Sequence, residues 1–318
     1  MIREQMLPLF SGRLRRALQL AEPDYEHLRE LRLRVSKPIC LLGNEGRMFL
    51  SEEGTLTENR REAICPETKE IKAVVESACG YSGYAFEEEI KRGYITIPGG
   101  HRIGITGRAV MNGSDIQTLK YISALNIRIA HPIKGCGEKW RKFFYENGNP
   151  CHVLIVSPPG CGKTTLLRDV IRMYSDGGSG YLPRTVGVAD ERSEIAGTYR
   201  GVATHDLGIH TDVLDGCPKV LGMEMLLRSM APEILAVDEI GGGDVWALEN
   251  ALRCGCKILA TLHGKNLKDF WGKPGFSMLV QEKVFDRYIF LKAEKSPGEV
   301  QMIYDKNFEV LWEEQKCT

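Results

Sequence analysis

The stretch His152-Val-Leu-Ile-Val-Ser-Pro-Pro-Gly-Cys-Gly-Lys-Thr-Thr165 joins an apolar run, a loop of proline and glycine, and a Lys-Thr-Thr segment. The apolar run predicts a buried strand, and the segment that begins at Lys163 predicts an amphipathic helix. Glycines let the backbone curl between the two elements, so that the first N–H groups of the helix converge on an anion. This order of strand, loop and helix is typical of a phosphate-binding loop.

Each position of this loop has a candidate role in nucleotide binding. The predicted cradle comprises Ser157, Pro158, Pro159, Gly160, Cys161, Gly162, Lys163, Thr164 and Thr165. Lys163 is predicted to reach the β- and γ-phosphates of ATP, and the Thr164 hydroxyl to complete the shell of a Mg²⁺ ion. Ser157 stands where the G-x-x-x-x-G-K-[ST] pattern has its first glycine, but the following prolines still enforce a turn. We therefore expect ATP and Mg²⁺ as ligands.

The composition is that of an ordinary globular protein with room for about two domains in 318 residues. Hydrophobic residues make up 43% and charged residues 26% of the chain. The 42 basic and 42 acidic residues cancel. This balance argues against a strongly basic nucleic-acid-binding surface, although a local patch can be hidden within it.

The ten cysteines are scattered, and none has partners at zinc-binding spacing. Because no segment resembles a signal peptide, we expect reduced thiols, a cytoplasmic location and no structural metal. No apolar stretch approaches the roughly 20 residues that a spanning helix needs. Any membrane association is therefore expected to pass through partner proteins.

Residues 1–137 are predicted to form a smaller, mixed α+β domain. Alternation of apolar and polar residues over 28–50 predicts three strands, and the apolar stripe over 71–78 predicts a helix. Two alternating runs around a Pro-Gly-Gly turn predict a β-hairpin over 94–110. Residues 122–130 predict a further strand.

A second domain is predicted over residues 151–318. Residues 138–150 are interpreted as a linker helix between the two domains, since glycines and a proline break the preceding pattern. Strand and helix patterns alternate from 151 to about 265, which is typical of a parallel α/β sheet. In such a sheet ligands bind at the carboxyl ends of the strands.

The run Glu233-Ile-Leu-Ala-Val-Asp-Glu239 places two carboxylates at the tip of a strand buried on both faces. After a phosphate-binding loop, such a pair is typical of ATP hydrolysis. Asp238 is predicted to hold Mg²⁺ together with Thr164. Glu239 is predicted to orient or deprotonate the attacking water.

Further candidates follow two other predicted strands. Asp190 and Glu191 are candidates for positioning water or metal from behind the direct ligands, and ion pairing with Arg192 or a neighbouring arginine is the alternative. His263 is a candidate for sensing the γ-phosphate or for bonding to Glu239, and a partly buried structural histidine is the alternative.

An arginine that stabilises transition-state charge is not evident near the loop in sequence. Arg102, Arg108 and Arg128 lie on predicted outward strand faces of the first domain. They are candidates for this task, from the same chain or from a neighbouring subunit. Ordinary solvated strand arginines are the alternative.

Several runs together resemble the stage III sporulation protein AA family. They are Gly93-Tyr-Ile-Thr-Ile-Pro-Gly-Gly-His-Arg-Ile-Gly104, Ile127-Arg-Ile-Ala130, Ser157-Pro-Pro-Gly-Cys-Gly-Lys-Thr-Thr-Leu-Leu-Arg-Asp169, Asp190-Glu-Arg-Ser-Glu-Ile-Ala-Gly197, Leu227-Arg-Ser-Met-Ala-Pro-Glu233 and Val237-Asp-Glu-Ile-Gly241. The resemblance runs from about Leu28 to His263. That family is similar to the hexameric ATPases of type II and type IV secretion and of pilus retraction.

This resemblance implies a RecA-like ATPase domain after the first domain, a hexamer, and nucleotide between neighbouring subunits. Asp190-Glu191 would match the acidic box of the secretion ATPases, and Thr261-Leu-His263 their histidine box. The arginines of the first domain would act on the neighbouring subunit. The implied partners are membrane proteins of a channel between mother cell and forespore, which would hold the protein at the membrane of the mother cell.

The function favoured by the sequence is therefore a Mg²⁺-ATP hydrolase that works as a ring-forming motor for a membrane-associated sporulation complex. A nucleic-acid motor is the alternative, against which the neutral charge stands. A small-molecule kinase fits less well, because Asp238 and Glu239 suit the activation of water. A nucleotide-gated scaffold without turnover is the remaining alternative.

Overall fold

The computed structural model divides the chain into two compact units, Met1–His131 and Pro132–Thr318. The structure describes residues 2–44, 46–80, 93–113, 115–131, 133–199, 201–265, 281–292 and 298–314, together with Asp269 and Leu279. The boundary lies earlier in the chain than the predicted one between residues 137 and 138. Each unit has its own large sheet and its own buried apolar residues.

The helices of the first unit pack against its sheet. They are α1 (Ile2–Met6), α2 (Gly12–Ala21) and α3 (Thr68–Ala78), and a 3₁₀ turn spans Leu7–Leu9. In α3 the predicted apolar stripe from Ile71 to Ala78 is buried, which confirms both the helix and its inward face. Helix α2 contacts the third strand of the sheet, and α3 contacts the seventh.

The sheet of the first unit is antiparallel throughout. Its strands are β1 (Glu30–Arg34), β2 (Lys37–Gly43), β3 (Gly46–Leu50), β4 (Leu56–Thr57), β5 (Tyr94–Ile97), β6 (His101–Asn112) and β7 (Asp115–Arg128). Their order is β4-β3-β2-β1-β7-β6-β5. The predicted strands over 28–50 and the hairpin over 94–110 are confirmed. β7 begins earlier than predicted because its ribbon with β6 continues to a turn at Gly113, whose φ of 62° suits glycine.

The two faces of this sheet differ because side chains alternate along each strand. On β1, Leu31 and Leu33 are 2% and 0% exposed, whereas Arg34 is exposed to solvent. The inward positions of β6 follow the same pattern, with Ile103 and Ile105 buried. One face thus builds the core, and the other carries polar and charged side chains.

The segment predicted as a linker helix over 138–150 is instead part of the second unit. It consists of a 3₁₀ helix at Glu138–Phe143 and a two-stranded ladder of β8 (Tyr145–Glu146) and β9 (Asn149–Pro150). Trp140 and Phe144 are buried in the core of that unit. Because burial of large aromatic side chains is strongly favourable, the segment folds onto the unit. The turn at Gly148, with a φ of 78°, ends any helical geometry.

The second unit contains a mostly parallel sheet, as predicted. Its strands are β10 (Val153–Ser157), β11 (Val186–Asp190), β12 (Thr211–Asp215), β13 (Ile234–Val237), β14 (Lys257–His263), β15 (Arg287–Leu291), β16 (Val300–Asp305) and β17 (Val310–Glu313). The order is β12-β11-β13-β14-β10-β15-β16-β17. Strands from β12 to β15 are parallel, and β16 and β17 add antiparallel pairs at one edge.

Apolar cores lie on both faces of this sheet. The helices that cover it are α4 (Lys163–Asp176), α5 (Lys219–Ser229) and α6 (Val245–Arg253), with a 3₁₀ turn at Gly242–Asp244. Val153 and Ile155 of β10 belong to one core, and Leu154 and Val156 belong to the other. Because both faces of such a strand are buried, neither face can accommodate a charged side chain. Charged and polar residues therefore lie beyond the end of the strand. Within the described residues, no helix has the length and apolar character that crossing a membrane requires.

Candidate active site

Four parallel strands end at the same edge of the second sheet. β10, β11, β13 and β14 end at Ser157, Asp190, Val237 and His263, and they neighbour one another in the order β11-β13-β14-β10. Groups that follow the carboxyl ends of parallel strands meet along one edge. Ser157 and His263 are partners in register, which brings the phosphate loop beside the end of β14.

The predicted cradle, residues 157–165, leads from β10 directly into α4. Gly160 and Gly162 have φ values of 79° and 87°, a region that glycine adopts without strain. Ser157 is buried, and its hydroxyl donates to the Pro158 carbonyl at 2.9 Å. The backbone therefore curls as predicted despite the missing glycine. Helix α4 begins at Lys163. The first N–H groups of any helix have no carbonyl four residues earlier in the same helix to which they can donate.

A chain of polar contacts links three of the predicted catalytic residues. Lys163 Nζ lies 2.9 Å from His263 Nδ1, and His263 Nε2 lies 2.6 Å from a carboxylate oxygen of Glu239. A charged lysine can only donate, so Nδ1 accepts this bond and Nε2 carries the proton that is donated to Glu239. The structure thus joins the lysine of the loop, the histidine and the glutamate into one hydrogen-bonded unit.

Hydroxyl and carboxylate oxygens converge beside this chain. Thr164 Oγ1 donates to Asp238 Oδ2 at 2.7 Å, and Thr261 Oγ1 donates to the other oxygen of Asp238. Oxygen atoms of this kind are the ligands that Mg²⁺ prefers. Thr164 and Asp238, predicted from the sequence to share the ion, are therefore together and fit it chemically.

Asp190 is occupied in holding the loop that follows β11. It is 2% exposed, and its two carboxylate oxygens accept bonds from the N–H groups of residues 194–196 at 2.8 to 3.0 Å. Burial outweighs these donors and raises the pKa of Asp190 to about 6. These contacts favour a structural role for the Asp190 carboxylate.

Glu191 lies at the edge of the predicted site, where it lines a small cavity together with Asp190, Asp238 and Glu239. The Glu191 carboxylate lies 3.8 Å from Lys219 Nζ. The role of Glu191 in positioning water or metal stays a prediction.

The three arginines that were predicted to complete the site all lie in the first unit. Arg102 and Arg128 are partners in register on β6 and β7, and Arg108 lies further along β6. The Arg102 guanidinium lies 5.2 Å from the centre of the Tyr94 ring, and Arg108 and Arg128 are exposed. Their part in catalysis stays a prediction.

Sequence reasoning assigned no role in the site to three cations that lie at this edge. Arg192 Nη1 lies 3.1 Å from a Glu239 oxygen, and Lys219 Nζ donates to the Glu239 carbonyl at 2.5 Å. Arg168 has a buried Nε without a hydrogen bond in the described part of the chain, and burial lowers its pKa. Arg168 follows Thr164 by one helical turn, and this spacing could have indicated from the sequence that the two side chains share a helix face. No sequence pattern points to Lys219.

Comparison with known proteins supports the predicted resemblance. The family described as sporulation stage III, protein AA, matches residues 1–311. The chain belongs to this family. Stage III sporulation protein AA of Bacillus subtilis (strain 168) is 39% identical over 294 residues, which cover 92% of each chain. Protein SEEDLING PLASTID DEVELOPMENT 1 of Arabidopsis thaliana is 27% identical over 164 residues, 50% of this chain and 22% of that protein.

Solved ATPase structures share the fold of this family member. The ATPase DotB of Legionella pneumophila superposes with a TM-score of 0.54 at 16% identity, covering 87% of this chain and 75% of DotB. The pilus retraction motor PilT with bound ADP gives a TM-score of 0.53 at 12% identity, covering 98% of this chain and 84% of PilT. At such identities the similarity establishes a shared mixed α/β fold.

Proposed function

We propose that this protein is a Mg²⁺-dependent ATP hydrolase that works as a ring-forming motor for a membrane-associated sporulation complex. One observation carries the proposal: Lys163, Thr164, Asp238, Glu239 and His263 converge at one edge of the parallel sheet. These side chains supply the positioning, charge neutralisation and water orientation that phosphoryl transfer to water requires. The fold shared with the ATPase DotB and the motor PilT, and a RecA-like interpretation of the second unit, agree with it.

Residues 157–165 and the first-turn N–H groups of α4 would hold the phosphates of ATP. Lys163 would direct its charge to the β- and γ-phosphates, exchanging His263 for a phosphate oxygen. Thr164 and Asp238 would hold Mg²⁺ through oxygens that are already 2.7 Å apart. When bound, Mg²⁺ neutralises charge on the phosphates.

Glu239 would orient or deprotonate the attacking water. Its carboxylate oxygens are restrained by His263 Nε2 at 2.6 Å and by Arg192 Nη1 at 3.1 Å. Because His263 bridges Lys163 and Glu239, engagement of Lys163 by a phosphate would be transmitted to Glu239 through one side chain. His263 would then have the sensing role predicted from the sequence.

Phosphate release by the purified full-length protein with Mg²⁺-ATP tests the hydrolase. Glu239→Gln is expected to bind nucleotide normally and to lose at least about 100-fold in kcat, because a general base contributes that much. Lys163→Ala is expected to lose nucleotide binding. Glu233→Gln is the matched control, since Glu233 directly precedes β13 at its other end and pairs with Arg184 at 2.7 Å. Normal hydrolysis by Glu239→Gln would contradict the assignment.

The ring and its partners rest on family membership and on the arginines of the first unit. Arg102, Arg108 or Arg128 would stabilise charge in the site of a neighbouring subunit. The proposed assembly is a hexamer that binds membrane proteins of a sporulation channel. It would be located at the membrane of the mother cell through those partners.

Mass in solution with and without Mg²⁺-ATP tests the ring. Alanine variants of Arg102, Arg108 and Arg128 are each mixed with Glu239→Gln protein, which contributes intact arginines but no competent site. Recovery of turnover in mixed rings is the expected result for an arginine that acts between subunits. Arg60→Ala, a change at an exposed arginine of the same unit, should not need rescue. Mixed rings without recovery would rule out action between subunits.

A nucleic-acid motor is the second candidate, favoured by a basic groove on the first sheet. Phe49 and Leu42 are among the residues that line the groove. Its lining also includes four exposed cations for which the described residues show no ion pair: Arg34, Lys37, Arg47 and Arg60. A single-stranded nucleic acid is recognised by such a combination of cations and an aromatic ring.

Single-stranded DNA of 30 thymidines distinguishes this candidate. ATP hydrolysis that rises with the oligonucleotide, falls steeply with salt and loses its stimulation in Arg47→Gln/Arg60→Gln would support it. Equal stimulation by polyglutamate would show a response to anions in general and contradict it.

A further inference from the structure

Lys219, the first residue of α5, contacts three segments at the carboxyl edge of the second sheet. Its Nζ donates to the Glu239 carbonyl at 2.5 Å and lies 3.6 Å from the Asp244 carboxylate and 3.8 Å from the Glu191 carboxylate. Only 15% of its side chain is exposed. One amine therefore ties together the segment after β11, the segment after β13 and the turn before α6.

A lysine is an unfavourable residue for the first turn of a helix. A cation in the first turn of a helix meets the positive end of the helix dipole, which is unfavourable. Burial of most of the side chain adds a cost of desolvation unless the amine is paired. Natural sequences break local rules mainly at functional sites. The contacts of Lys219 with Glu239, Asp244 and Glu191 offset both costs and indicate a role beyond the helix itself.

The backbone of Glu239 needs such a contact. Its φ of 52° lies in the left-handed region, which is unfavourable for a residue with a Cβ atom. Thr261 Oγ1 accepts a bond from the Glu239 N–H at 2.8 Å, and the Thr261 carbonyl accepts one from the Ile240 N–H at 2.9 Å. These bonds hold the two N–H groups, while Lys219 holds the Glu239 carbonyl between them.

We propose that Lys219 is a positioning residue that fixes the strained backbone of Glu239 and so aims its carboxylate at the attacking water. The inference rests on the proposed ATP hydrolysis and extends it to a residue outside the recognised motifs. Within the described part of the chain, the hydrogen bond and ion pairs of Lys219 reach Glu191, Glu239 and Asp244 and no residue of the cradle 157–165. Loss of Lys219 should therefore impair turnover and spare nucleotide binding.

Turnover and nucleotide affinity of full-length variants test this split. Lys219→Met removes the donor and the charge, and kcat is expected to fall about 100-fold while the Kd for ATP changes less than about twofold, because small misplacement of a catalytic group costs that much. Lys219→Arg keeps a charged donor and is expected to stay within about tenfold of the wild type. Lys257→Met is the matched control at the amino end of β14, where Lys257 lies 3.9 Å from Asp286. It should leave both constants unchanged.

A double mutant gives a readout that a general loss of stability would not produce. In the Glu239→Gln background, Lys219→Met is expected to cost no further kcat, since Lys219 acts through Glu239. Multiplied losses, a wild-type kcat in Lys219→Met, or an equal loss of affinity would overturn the proposal. If Lys219→Met does not fold, Lys219→Gln takes its place with the same expected split. A wild-type protein that releases no phosphate would instead overturn the proposed function, and the role of Lys219 with it.

Discussion

The two large sheets of this protein place their charged residues in opposite ways. In the first unit the antiparallel sheet buries one face, and arginines such as Arg34 stand on the other face along the strands. In the second unit β10 is buried on both faces, and polar groups such as Lys163 and Asp238 lie beyond the strand ends. Alternation along a half-buried strand explains the first arrangement, and full burial explains the second.

This difference decides how visible a functional residue is in the sequence. A carboxylate after an apolar run marks a strand end, and the ends of parallel strands meet at one edge. Asp238 and Glu239 are recognisable for this reason. On an open antiparallel face, polar side chains recur at every second position of a strand. An arginine there fits this pattern whether or not it has a function. Arg102 and Arg128 therefore have no comparable marker.

The strongest test of the comparison is a pair of neighbouring substitutions on β1. Leu33→Ala is expected to destabilise the first unit by about 2–5 kcal/mol, because it opens a cavity where the side chain is 0% exposed. Arg34→Gln, on the opposite face, is expected to change stability by less than about 0.5 kcal/mol. Hydrogen exchange of the amides of β1 and β7 measures both effects. Similar losses for the two variants would contradict the assignment of one buried and one open face.

In the second sheet, the hydroxyl of Thr261, two residues before the end of β14, should matter more for activity than for folding. Thr261→Val removes the bonds to the Glu239 N–H and the Asp238 carboxylate and is expected to lower kcat about 10- to 100-fold, which corresponds to about 1.4–2.8 kcal/mol. Steady-state phosphate release measures the loss. Thr261→Ser keeps the hydroxyl and is the control. If both variants hydrolyse ATP equally, the hydroxyl does not position the carboxylates.

The smallest effect concerns pH and a buried histidine of the first unit. Burial lowers the pKa of His101 to about 4, below the unfolded value of 6.5. The unfolded state therefore binds more protons as the pH falls through 6.5 towards 4, and stability falls with it. Between pH 7.5 and 5.5 the expected loss is about 1 kcal/mol.

Urea unfolding followed by circular dichroism at the two pH values measures this loss. His101→Asn keeps an acceptor for the Ala130 N–H, which donates to His101 Nδ1 at 3.0 Å, but it does not titrate at these pH values. The variant should lose less stability than the wild type on acidification. Equal losses in the two proteins would show that another group is responsible.

Local sequence patterns predicted most elements. They failed where a segment is buried by residues that are distant in the sequence. Helix α3 and the β5–β6 hairpin followed from a period of apolar residues and from glycines that adopt positive φ. The segment 138–150 was predicted as a linker helix and is not one. Trp140 and Phe144 instead pack into the core of the second unit, a core built by strands and helices distant in sequence.

The sequence by itself determined that a strand, a phosphate-binding loop and a helix follow one another from Val153 to about Met173, and that two carboxylates follow β13. The spacing of apolar residues and the positions of turn-forming glycines are properties of short segments, so they can be recognised from a few consecutive residues of the sequence. Only the tertiary structure decided which loops meet. The strand order β11-β13-β14-β10 brought Arg192 and Lys219, which no sequence pattern had linked to the site, to Glu239. Hydrogen bonds and ion pairs act over a few ångströms, and such distances depend on neighbouring strands in space rather than on positions along the chain.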